Sequence, residues 1–78
     1  MSKYYISFGS DHLDDFYVNP LNSLVAIEAN TETAAREQIM EIVGVHFCTS
    51  YPKETLPLQC FSNHIIYTIK ELMLTRRT

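Results

Sequence analysis

His46 and Cys48 stand two residues apart, and Cys60 and His64 stand four apart. A strand puts i and i+2 on one face, a helical turn brings i and i+4 together, and two thiolates with two imidazoles form a zinc set. Against zinc, the C-x2-C knuckle spacing is absent, and two such pairs arise readily by chance from the chain's three His and two Cys. The plainer expectation is no metal, with His46 and Cys48 on the wet face of a strand and Cys60 packed near the last helix.

Ser10-Asp11-His12, followed by Asp14 and Asp15, is the second constellation. A carboxylate could orient His12 as a base, or the Asp oxygens could take a hard cation. Calcium loops space their ligands differently, and a triad is not assembled from adjacent residues. His12, just after Gly9, is expected to hydrogen-bond the loop backbone instead. Neither cysteine sits beside an activating base at a predicted helix start, and two glycines cannot write a phosphate-binding loop. No catalytic residue and no cofactor are therefore assigned, and the expectation is a protein that is not an enzyme. Aromatic side chains supply many interface anchors. Tyr5, on the outer side of the first strand, and Phe16 and Tyr17 in the following loop are expected to face a partner, together with Asp11, His12, Asp14 and Asp15.

The elements that must position these residues follow from periodicity. Residues 3–8 alternate with Tyr4, Ile6 and Phe8 on one side, a first strand that Gly9 breaks. The stretch 10–22 is dense in Asp, Asn and Pro and reads as a long loop packed over one end of the sheet through its apolar residues. A second strand spans 23–29. Thr31 and Glu32 open a helix over 32–43 with Ala35, Ile39, Ile42 and Val43 inward, and Gly44 stands where a left-handed residue closes it. A third strand is expected over 45–51. Ser62-Asn63 can cap a last element, and Ile65, Ile66, Ile69, Leu72 and Met73 fit a helical stripe, so that element is read as a helix, although residues 64–69 also have strand propensity; the tail is expected to fray from Thr75.

The order β-β-α-β-α predicts an α+β fold in one domain spanning 1–78. Its three-stranded sheet has strand one in the middle, antiparallel to both neighbours, and both helices on one face. The predicted core is Tyr4, Ile6, Phe8, Val25, Ile27, Ala35, Ile39, Ile42, Val43, Phe47, Ile65, Ile69 and Leu72. An exposed second face of the sheet would favour a partner or a homodimer.

Six Lys and Arg against nine Asp and Glu give a net charge of −3, with basic residues gathered only at Lys70, Arg76 and Arg77. Phosphate neutralisation needs a basic face, so nucleic acid and anionic membranes are disfavoured as partners. No apolar run of about 18 residues exists, and Ser7, Ser10, Asp11, Asp14 and Asp15 interrupt any leader, so a soluble cytoplasmic protein is expected. Two cysteines are too few for a disulfide framework.

Phe8-Gly9-Ser10-Asp11-His12, the strand ending Glu28-Ala29, Thr31 with Ala35-Arg36, and Gly44-Val45-His46-Phe47 on to Tyr51 together resemble a family of small phage and prophage proteins of unassigned activity. The shared pattern is F-G-x-x-H, then E-A, then A-R, then G-x-x-aromatic, and it covers residues 3–51. The resemblance implies a phage accessory protein and nothing catalytic. It places His12 on the family's histidine, and it places His46 and Cys48 where other residues are tolerated. Expected, then, is a compact module in the host cytoplasm that docks on a host protein and blocks it sterically. A defence component such as a CRISPR effector or restriction system is the expected target. The alternative is a binder of a small ligand or nucleotide signal that uses His12 and the loop aromatics.

Overall fold

In the computed structural model, which describes residues 1–45, 47, 49–57 and 59–77, six principal elements follow one another. They are β1 (Ser2–Ser7), β2 (Ser23–Ala29), α1 (Glu32–Val43), β3 (Thr49–Pro52), β4 (Ile65–Thr68) and α2 (Ile69–Leu74). Single 3-10 turns at Pro20–Asn22 and Lys53–Thr55 interrupt the connections. The fold is α+β with one sheet, but that sheet has four strands rather than three, in the order β3-β1-β2-β4.

β1 lies between β2 and β3 and is antiparallel to both, as the order of elements predicts. The register sets Tyr4 opposite Ile27 and Ile6 opposite Val25, so the apolar sides of both strands share one face. α1 lies on that face with Ala35, Ile39 and Val43 buried, and Leu72 of α2 joins the same core. Ala35 is fully buried, and its single methyl lets α1 sit close to the sheet. The next residue, Arg36, leans outward to β3. There Ser50 donates to the Glu32 carboxylate at 2.7 Å and accepts from Arg36 Nε at 3.0 Å. Thr31 caps the helix by accepting from the Ala34 N–H, and Gly44 ends it at φ 66°, a conformation that costs a residue without Cβ little.

Three expectations change. The segment read as a helix, with strand as its alternative, is both and divides at Thr68. Residues Ile65–Thr68 add a fourth strand, parallel to β2, and only Ile69–Leu74 coil. The signal lies in Thr68-x-x-Glu71, a capping box in which the Thr68 hydroxyl accepts from the Glu71 N–H while the Glu71 carboxylate accepts from the Thr68 N–H. These bonds, the backbone one first, hold the Glu71 carboxyl below the ordinary carboxylate range. The cap therefore contributes above the unfolded-state value and is lost as the pH falls through the folded-state one. Ile65, placed in the predicted core, is instead 53% exposed on this edge strand.

The third strand begins at Thr49 rather than at residue 45, because a tight turn in which Phe47 N–H bonds Val45 C=O follows Gly44 and leaves Val45 exposed. His46 and Cys48 lie outside the described residues. Residues 75–77 of the tail, expected to fray, are instead tied to the 10–22 loop: Tyr17 N–H donates to Thr75 C=O and Arg77 N–H to Asp15 C=O.

The second sheet face is partly covered as well. Residues 53–64 must carry the chain from the β3 edge to the β4 edge, and Phe61 meets Tyr51 of that face edge-on at 5.5 Å. Leu24 on the same face is 1% exposed.

Candidate functional site

The site starts from a local turn. Gly9 N–H donates to His12 Nδ1 at 2.7 Å, and His12 N–H donates back to Gly9 C=O at 3.2 Å. A Cβ on Gly9 would lie 2.9 Å from His12 Cε1, so the imidazole rests directly on the glycine. This is the physical content of the G-x-x-H spacing: the ring occupies the room a side chain would need. Because Nδ1 accepts, the neutral ring carries its proton on Nε2, which stands 4.0 Å from Asp11 Oδ1. With Nδ1 taken up by the Gly9 amide, this imidazole braces the loop.

That brace makes a double-mutant cycle informative. Gly9→Ala is expected to cost about 1–3 kcal/mol by overpacking against the ring, and His12→Ala about 1 kcal/mol through the lost hydrogen bond. In the double variant the ring is gone, so thermal denaturation should show a total at least about 1 kcal/mol below the sum of the two. Additive losses would mean that the ring does not rest on Gly9.

Beyond His12 the loop turns again, Phe16 N–H bonding Leu13 C=O, and it drives Leu13 and Phe16 into the core, each 2% exposed. Phe16 thus faces inward and anchors the loop from beneath, which corrects its expected place at a partner surface. Its backbone pairs with Arg76, whose guanidinium lies 5.9 Å from the Phe16 ring centre. Tyr17 points out, 72% exposed, with the Arg77 guanidinium 4.6 Å above its ring. Tyr5 is half-buried on the far sheet face between Ala26 and Tyr51, away from this loop.

Asp11, His12, Asp14, Asp15 and Phe16 from the loop, with Ile42 and Val43 at the end of α1, line an open cavity of about 370 Å³. Asp11, Asp14 and Asp15 are exposed, so the mouth is acidic. The C-terminal turn of α1 forms the opposite wall and brings the negative end of the helix dipole to the same place. Sequence reading found the four polar residues because they are close in the chain. Ile42 and Val43 escaped it as site residues, since their helical spacing marks them only as core.

Of the candidate zinc set, Cys60 is exposed as a free thiol and His64 packs edge-on against Phe61 at 4.7 Å. Among the described residues no three His, Cys, Asp or Glu side chains converge as a metal site, and no helix is long and apolar enough to cross a membrane. Compared with protein-family models, with curated proteins and with solved structures, the chain matches none.

Proposed function

We propose that the chain is a binding module that docks a basic surface of a host protein against the acidic cavity and blocks that protein sterically. The observation that carries this reading is the open cavity of about 370 Å³ itself, lined by Asp11, Asp14 and Asp15, with Tyr17 exposed on the same loop. A Lys or Arg of a partner would find carboxylates and a helix C-terminus there. Tyr17 would add aromatic contact area from the same loop. The loop is fixed beforehand by the Gly9–His12 turn and by the tail, so little ordering entropy opposes docking. Phage origin and a host-defence target, in the manner of an anti-CRISPR protein, rest on the resemblance carried by Phe8-Gly9, His12, Glu28-Ala29 and Ala35-Arg36.

The alternative, a small-ligand or nucleotide-signal pocket, has support in the cavity's size, which lies within the range of small-molecule sites. Its three carboxylates would repel phosphate, and Phe16 is not free to stack on a base. The test uses the tagged chain as bait in host lysate, beside a variant carrying Asp11→Asn, Asp14→Asn and Asp15→Asn. One partner retained in stoichiometric amount by the native chain, weakened by salt and lost with the variant, is the expected result. Equal capture by both, or a thermal shift with nucleotides and no protein partner, would overturn it. Plating a phage with and without this gene on hosts with and without the captured defence system then tests the inhibitor role.

A further inference from the structure

The two edges of the sheet differ in how they end. The β3 edge is four residues long and closes on Pro52, which has no N–H to offer a neighbour. The β4 edge reads Ile65-Ile66-Tyr67-Thr68, with no proline and no charged residue, and Ile65 and Ile66 are 53% and 51% exposed. Its backbone bonds run to β2 on the inner side and, at Thr68 N–H, to the Glu71 carboxylate. Among the described residues no other element pairs with the outer side. Such an edge is a template for another strand.

We propose that a second copy of this chain pairs there, β4 antiparallel to β4 about a two-fold axis at Ile66, joining the two sheets into one. A two-fold axis normal to the sheet keeps each face on its own side. Ile66 then meets Ile66 of the second copy on one face, while Ile65 meets Tyr67 of the second copy on the other. Both are apolar cross-strand pairs of the kind that stabilises a ladder. Charge also selects a second copy over the basic partner proposed for the loop. No Asp, Glu, Lys or Arg occurs from Thr55 to Ile69, so two chains of net charge −3 can meet on this segment without setting like charges together, whereas a basic partner would gain nothing. The pairing is isologous and closes on itself, which removes the open edge that would otherwise invite aggregation.

Sedimentation of the native chain over a concentration series, beside Ile66→Lys and Leu74→Lys, tests the pairing. Leu74 is 80% exposed and lies off the strand. A monomer–dimer equilibrium that Ile66→Lys weakens at least about tenfold and Leu74→Lys leaves unchanged is the expected outcome, because two lysines would face each other across the axis. Circular dichroism checks that Ile66→Lys still folds. Should it not, amide exchange in the native chain decides, since protection within Ile65–Thr68 must rise as dimer forms. A native chain that remains monomeric to about 1 mM, or that grows past the dimer, would overturn the proposal. So would a dimer that Leu74→Lys disrupts, that Ile66→Lys leaves intact, or that forms without added protection in β4.

Discussion

Phe16→Ala is expected to remove about 3–5 kcal/mol of folding stability, whereas Tyr17→Ala, one residue on, should change it by no more than about 0.5 kcal/mol. The contrast follows from burial, since Phe16 is 2% exposed inside the core cluster and Tyr17 is 72% exposed. A chain of 78 residues has roughly 4–12 kcal/mol in all, so the Phe16 variant should stand close to its unfolding threshold. Urea denaturation followed by circular dichroism measures both variants. A loss below about 1 kcal/mol for Phe16→Ala would mean that the loop is not held through this ring. The same numbers govern binding experiments. Tyr17→Ala tests a contact, while lost binding in Phe16→Ala would report lost structure.

The difference between these neighbours also marks what a sequence can reveal. Both are aromatic, both sit in a stretch rich in turn formers, and neither belongs to a periodic run. The Leu13–Phe16 turn aims Phe16 inward, and the tail holds the loop in that place through Thr75 and Arg77, from some 60 residues further along the chain. No local pattern encodes that pairing. β1, β2 and α1 were legible because their core-facing residues recur every two or about every 3.6 positions, and Gly44 was legible because a left-handed cap asks for glycine. Ile65, Ile66, Ile69, Leu72 and Met73 satisfy a helical stripe equally well whether or not Ile65 and Ile66 are helical. β4 extends because it can bond to β2, a long-range gain that outweighs the stripe. The candidate site divides in the same way. Its polar side came from the Gly9–His12 turn, a local matter, while Ile42 and Val43 became a wall only once α1 had been laid across the sheet.

Because the tail holds the loop, the second large effect is expected at Leu72, which lies in the same core cluster as Leu13 and Phe16. α2 has six residues, too few for a helix to persist without tertiary contacts, and Leu72 is its one fully buried side chain. Leu72→Ala should cost about 2–5 kcal/mol, the range for a buried leucine whose site cannot fully collapse. Its reach should exceed the helix. The Leu72 carbonyl accepts from both the N–H and the hydroxyl of Thr75, and Thr75 in turn receives the Tyr17 N–H at 2.7 Å. Loosening α2 therefore loosens the tail, and with it the loop that carries Asp14, Asp15 and Tyr17. Native-state hydrogen exchange should show the Tyr17 and Arg77 amides losing protection together with those of α2, while the amides between β1 and β2 open only with global unfolding. If Tyr17 kept its native protection while α2 exchanged faster, the tail and the loop would not form one cooperative unit. The cavity would then owe its shape to the Gly9–His12 turn and the Phe16 ring alone.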